Sequence, residues 1–406
     1  MTVEAICKEI KERLEKIHIG RFRGMEKPLL LISNEYPGVW LEHVYDSVIY
    51  AEMDRTKLYL AENTINLFID YQTKEGQLPC YVWNGDMRDL PPEELIGYSQ
   101  IQECVSFPKL ALMVYEMNRD ASFLERIYAS GVKWANWLAK NRMTTGRGLI
   151  EMFVGYDTGH DNSSRLTGLS CRGNYSVDGV LQNASVLPPD DEVAPILAVD
   201  MNSNYYATLT ALAAMADELK LPCEADEWRA RAAALKAKML ELLYNEEDAF
   251  FYDVDKNGHQ RKYKSSTIFH PFLEGVLDPE KDAKIIKEIY DRHISNPEEF
   301  ATPYPYPSMA INDPSCEGHD TFNCWGYYTQ GLIALRTTMW MEKYGFAKAY
   351  EYLCRTWIEV WTRHWDKLKL GQELDPITGE PTDCSEWYSA NMLFYLHAAR
   401  TLYGIN

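Results

Sequence analysis

Long apolar runs are missing from this chain of 406 residues. The longest near the N-terminus, "PLLLI", is far short of the ~20 residues a membrane helix needs. The opening "MTVEAICKEIKERLEKIHIG" is charged, helical in pattern and without the apolar centre of a signal peptide. A soluble, cytoplasmic protein is the expectation. Basic charge is also scarce: 41 Lys and Arg face 60 Asp and Glu, for a net charge of −19. Nucleic acid and anionic membranes need a basic surface, so both are unsuited as partners. The nine Cys form no CxxC pair, so neither a zinc ribbon nor a redox motif is indicated, and free thiols of a reducing compartment fit them. No P-loop, no GxGxxG after a strand, no HExxH and no GxSxG occurs. Phosphate-cradling, dinucleotide, metalloprotease and serine-hydrolase chemistries therefore lose their usual carriers, and no metal or organic cofactor is expected.

Strand signals are sparse, and helical periodicity takes their place. Leu124, Ile127, Gly131, Trp134 and Leu138 share one face; so do Leu209, Leu212, Met215 and Leu219, and Trp228, Ala232, Leu235, Met239 and Leu242. Further helical windows lie near 2–16, 42–73, 99–118, 279–292, 322–344, 346–362 and 385–403. One hairpin is expected at 249–263 with Asn257-Gly258 at its turn, as an insertion after a helix. Short connections alternate with long ones at 74–98, 143–200, 294–320 and 364–384. No Ser/Gly linker divides the chain. These features predict an all-α toroid of helical hairpins, one domain over 1–406, with functional loops on one rim.

Aromatics make up 13% of the chain, with 27 Tyr and 11 Trp. Many belong to a helical core, as Trp134 and Trp137 must. Others sit in polar loops: Trp40, Tyr81, Trp83, Trp325, Trp365 and Trp387. A flat apolar face with a polar edge suits sugar rings. Aromatic loops rich in Asp, Glu, Asn and Gln point to a small carbohydrate as the ligand. Glycoside hydrolysis needs two carboxyls flanking the scissile bond, and spacing alone cannot choose them among 60 acidic residues.

Resemblance narrows the choice. "GHDNSSR" (159–165) resembles the G-x-D-(N/F)-S-(P/S)-R signature of the clan of trehalases, processing α-glucosidase I and mannosylglycerate hydrolases. "GQELDPITGEP" (371–381) is similar to the clan's E-x-Y-(D/N)-P-x-T-G-x-P segment. "TFNCWGYYTQGLIAL" (321–335) resembles its W-x-G-x-(V/I)-W helix entry, and "WLEHVYDSVIYAEMD" (40–54) its W-x-W-D-(S/T) stretch. The four occur in the clan's order. The resemblance implies an (α/α)6 barrel and an inverting α-glycosidase of trehalase-like type, exo-acting on a small α-linked glycoside. It makes Asp161 the general acid and Glu373 the general base. Tyr45, Asp46, Trp83, Gln102, Asn162, Arg165, Trp325, Gly326 and Trp387 become substrate-binding candidates. Arg165 would reach the leaving group or brace the acid.

The chain departs from that pattern. Ser106-Phe107-Pro108 stands where the clan reads Q-P-P, leaving Gln100 or Gln102 to supply the amide. "HVYD" replaces W-x-W-D, and Leu374 replaces an aromatic. Alternatives stay open. Asp161 could be an Asx-turn residue, and Glu386 is a rival base. Asp313, Glu317 and Asp320 form an acidic loop without calcium-hand spacing, read as solvated. A sugar epimerase using His270, His319, His364 or His397, and a catalytically silent sugar-binding barrel, are competing functions. Sugar, linkage and oligomeric state are not encoded legibly.

Overall fold

The computed structural model of the protein describes residues 1–33, 36, 38–102, 105–170, 184–188, 191, 193–316, 325–382 and 384–405. Twelve α-helices lie among them: α1 (Val3–Arg13), α2 (Val44–Met53), α3 (Leu58–Asp70), α4 (Phe107–Asn118), α5 (Ala121–Asn141), α6 (Val199–Glu218), α7 (Pro222–Leu242), α8 (His270–Leu273), α9 (Ala283–Ile289), α10 (Gly331–Thr337), α11 (Ala347–Arg363) and α12 (Ser389–Tyr403). Burial alternates along this order. All of α8 and α10 is buried, as are Val44 to Ala51 of α2 and Ser389 to Leu396 of α12. The odd-numbered helices bury one stripe, such as Ala225, Trp228, Ala232, Leu235 and Met239 of α7. A helix apolar all round belongs inside, and one with a single apolar stripe covers it. Even helices form the inner ring and odd helices the outer, which is an (α/α)6 barrel. α2 packs on α4 and α12, α4 on α6, α6 on α8, and α10 on α12.

Local chemistry sets the ends of these helices. Asp120 accepts from the amides of Ser122 and Phe123 and caps α5. Pro222 opens α7 and Pro108 sits in the first turn of α4, where a missing N–H costs nothing. The windows expected at 42–73 and 322–344 are shorter in the structure. Asp54 breaks the first by capping a 3-10 turn at Arg55–Lys57. The second keeps only α10 as α-helix among its described residues. Helix 99–118 begins only at Phe107, because Gln102 takes φ +46 and Ser106 is extended.

The hairpin forms as expected, with Asp253 paired to Arg261, Val254 to Gln260, and Gly258 at φ +92. It is not a detached insertion. Val254 also pairs with Leu197, and Ile196–Leu197 with Glu151–Met152, giving a four-stranded sheet. That sheet brings Asp253 to the loop of the GHDNSSR segment. Trp134 and Trp137 stack inside the wall, 5.5 Å apart.

Three of the inner helices, α2, α10 and α12, start at one pole. Ser389, first in α12, donates to Asp46 in the first turn of α2. Gly331, first in α10, lies so close to Asn391 that a Cβ there would sit 1.5 Å from its Oδ1. The positive ends of several helix dipoles therefore face the same volume and favour polar and anionic groups there.

Candidate active site

The GHDNSSR loop is pinned on both sides of Asp161. Upstream, Asp157 forms a buried bidentate pair with Arg142, at 2.5 and 3.1 Å. Asp157 also accepts from the amides of Ile101 and Phe153 at 3.0 and 2.8 Å, which holds the Gln102 loop to the Asp161 loop. Downstream, Arg165 is buried and donates to Asp200, Asp253 and Thr158 at 2.5, 2.6 and 2.8 Å. Burial alone would raise the Asp200 carboxyl, but the Arg165 guanidinium holds it well below the usual range. Burial outweighs the same guanidinium at Asp253 and pushes that carboxyl up. Arg165 thus braces the loop through Asp200, Asp253 and Thr158.

Between these anchors Asp161 is half-buried and Asn162 is exposed at φ +63. The left-handed residue that turns the chain is thus Asn162, a common occupant of that region. The Asp161 carbonyl accepts from the Trp325 amide at 3.4 Å.

Glu373 is fully buried on a short strand, Glu373–Leu374, paired antiparallel with Thr329–Gln330. Its Oε2 accepts from the Gln330 amide at 2.6 Å and its Oε1 from the Thr382 hydroxyl at 3.1 Å. The next backbone bond, Gly331 N–H to Gln372 carbonyl, is 3.0 Å. The segment from Trp325 to Gly331 is therefore bonded to the Asp161 loop at one end and to the Glu373 strand at the other. Glu386, the rival base, is exposed and accepts from the Lys369 amide at 3.2 Å.

Asp46 is 1% exposed. Its Oδ2 accepts from Ser389, and its Oδ1 is buried with no hydrogen-bond partner among the described residues. Burial pushes its carboxyl up to about 7, against the pull of Ser389 and of Arg336. A buried acceptor without a donor is costly, and a ligand hydroxyl would satisfy it. Tyr45, next to Asp46 in sequence, belongs to a buried charged cluster. It is fully buried, donates to Glu274 and lies under the Arg336 guanidinium at 4.8 Å. The Lys109 ammonium completes that cluster at 3.1 Å from Glu274.

The aromatic candidates divide. Trp83 sits 5.1 Å from Trp40 and 4.7 Å from Tyr81, with Arg88 over its ring at 4.5 Å. Trp40 packs on Tyr36 at 5.1 Å. The Tyr36 hydroxyl donates to Gln372 at 3.0 Å, and burial, with charges including Asp161, pushes it up. Trp325 is buried and stacks on His160 at 4.3 Å. Gly326 offers its carbonyl to the Cys316 thiol at 3.7 Å. Gln102 is 5% exposed on the clamped loop. Trp387 packs against Trp365, Arg13 and Lys369. Its φ of +57 leaves the next residue, Tyr388, to bond His43 at 2.9 Å and approach Tyr36 at 6.0 Å. Tyr36, His43, Gln330, Arg336, Thr382 and Tyr388 were not singled out from the sequence. Only their nearness to the quoted motifs could have flagged them.

The described histidines among the epimerase candidates are scattered, with His270 5.9 Å from His160 and the others elsewhere. His364 lies by Glu380 and His397 against Tyr350, while burial drives His270 down to about 3. His319, Glu317 and Asp320 lie outside the described residues. Asp313 is not solvated as expected: it is buried and accepts from the Lys264 and Ser315 amides at 2.7 and 2.9 Å. Among the described residues no group of three or more His, Cys, Asp or Glu is placed to hold a metal. None of the described helices is long and apolar enough to cross a membrane.

The family model described as the mannosylglycerate hydrolase MGH1-like glycoside hydrolase domain matches residues 46–389. The fold is similar to that of the GH63 mannosylglycerate hydrolase from Thermus thermophilus in complex with glucose. The TM-score is 0.71 and the identity 19%, over 97% of this chain and 99% of that one. The neutral trehalase of Saccharomyces cerevisiae shares it at TM-score 0.66 and 14% identity, over 100% of this chain and 82% of that one. An uncharacterised protein of Borreliella burgdorferi is 28% identical over 142 residues, spanning 35% of this chain and 28% of that protein.

Proposed function

The chain belongs to the mannosylglycerate hydrolase MGH1-like glycoside hydrolase family, and within it we propose an inverting, exo-acting hydrolase of a small α-linked glycoside. The whole chain, 1–406, serves as one catalytic domain. Asp161 protonates the glycosidic oxygen as it leaves. Glu373 takes a proton from the water that attacks the anomeric carbon from the opposite face. The C–O bond to the aglycone breaks, a C–O bond to water forms, and the configuration inverts. Asp46 accepts from a hydroxyl of the first sugar, with Gln102, Asn162, Trp83, Trp325 and the Gly326 backbone around the ring. Two carboxyls and a water suffice for this chemistry.

The observation that carries the reading is the segment from Trp325 to Gly331, bonded to both the Asp161 loop and the Glu373 carboxylate. One connection thus ties the Asp161 backbone to the Glu373 strand, which supports a fixed geometry for acid–base catalysis across one bond. The unpartnered Oδ1 of Asp46 at the same pole supplies the acceptor a sugar hydroxyl would meet. The substrate falls among small glucosides, disaccharides and glycosyl-glycerates. The test is hydrolysis of a panel: trehalose, kojibiose, nigerose, glucosylglycerate, mannosylglycerate and aryl α-glycosides. Wild type should cleave at least one, and Glu373→Gln should do so about 10²–10⁴-fold more slowly. Equal turnover by Glu373→Gln would overturn the assignment.

A further inference from the structure

We propose that His160, outside the proposed acid–base pair, is a positioning residue that sets the plane of Trp325 and couples it to Asp161. The inference rests on the glycosidase reading above and adds a residue to it. His160 directly precedes Asp161 and is 3% exposed. Its ring lies parallel to the Trp325 indole, with centroids 4.3 Å apart and 14° between planes. The Trp325 amide bonds the Asp161 carbonyl at 3.4 Å. The two segments are therefore tied twice, by backbone and by ring, next to the proposed acid. No sequence motif demands this pairing; it follows from where the two loops meet.

The imidazole acts here as a flat neutral plate. Burial keeps it uncharged, and the Arg165 and Arg336 guanidinium groups act in the same direction. Behind it lies a cavity of about 20 Å³ lined by His160, Ser266, His270, Arg336 and others. That is enough room for one water, which needs at least roughly 10–15 Å³. His270 lines it, 5.9 Å from His160. The His270 Nδ1 is buried without a partner among the described residues, so a water there has a group to bond. Trp325 cannot tilt away from its present plane without breaking the stack on His160.

Loss of a stack of this strength can weaken binding through a displaced Trp325 by at most roughly three- to tenfold. The experiment compares wild type, His160→Leu and His160→Phe for kcat, KM, melting temperature and glucose binding by calorimetry. His160→Leu should weaken glucose binding by roughly three- to tenfold and lower kcat as Asp161 loses its register. His160→Phe keeps a flat ring and should restore KM and glucose affinity to within about threefold of wild type. Unchanged kcat and KM in His160→Leu would overturn the inference alone, as would a His160→Phe as defective as His160→Leu at equal melting temperature. A wild type that neither cleaves the panel nor binds any of its sugars would sink the glycosidase reading and this inference with it.

Discussion

Gln330 and Glu373 face each other across two paired strands, and the Gln330 amide donates to the Glu373 carboxylate at 2.6 Å. With Thr382 on the other oxygen, the carboxylate is held in one orientation on rigid backbone. Loss of a positioned base costs about 10²–10⁴ in rate. Glu373→Gln should lower kcat by that factor with little change in KM, in initial-rate assays. Gln330→Met should lower kcat less, by roughly tenfold, because it frees the orientation and keeps the base.

Asp161 is the second arm of the account. Its replacement by Asn should cost about 10²–10⁴ in kcat on an alkyl glycoside. The loss should shrink on an aryl glycoside whose leaving group needs no protonation. A loss equal for both leaving groups would mean that Asp161 holds the loop and donates no proton. Rates for a graded series of phenols check this.

Asp46 gives a pH signature. Its folded carboxyl is pushed up to about 7, against about 3.9 when unfolded. Between these values the folded state binds more protons, so stability falls as pH rises from about 4 to about 7. Asp46→Asn should therefore be more stable than wild type at pH 8, by about 1–4 kcal/mol, and little different at pH 4. Sugar binding should behave oppositely. The wild type should bind better as pH rises through about 7 and Asp46 ionises, and the variant should bind weakly throughout. Urea unfolding and calorimetry at three pH values check both signs.

Arg165 and Tyr45 should be stability residues. Removing the guanidinium in Arg165→Met strands Asp200 and Asp253 in the interior, a loss of about 3–5 kcal/mol. Tyr45→Phe leaves Glu274 short of one donor and should cost about 1–3 kcal/mol while leaving KM nearly unchanged. Thermal unfolding beside steady-state kinetics separates these effects from loss of sugar contacts.

The fold was legible because its helices carry apolar stripes, and the stripe of α7 lies where the period put it. The motif order pointed to Asp161, Glu373 and Asp46 because each sits in a locally recognisable segment. What stayed hidden depends on contacts between distant segments. Arg165 meets Asp253 through a sheet that a two-residue strand pairing completes, and two residues give no period to detect. The sequence around Tyr45 and Trp387 does not show what else these side chains touch. Helix phase turns Tyr45 towards Glu274, and a left-handed backbone sets Trp387 against Trp365. Tyr36, Thr382 and Gln330 reach the site by single bonds to Gln372 or Glu373, which no spacing rule encodes.

The central claim is direct displacement by water with Asp161 and Glu373 on opposite faces of the sugar. The most direct measurement is proton NMR of the first-formed anomer during cleavage of an α-glycoside, with wild type and Asp161→Asn side by side. The account predicts the β-anomer first, and its loss in the variant. Release of the α-anomer first would contradict it.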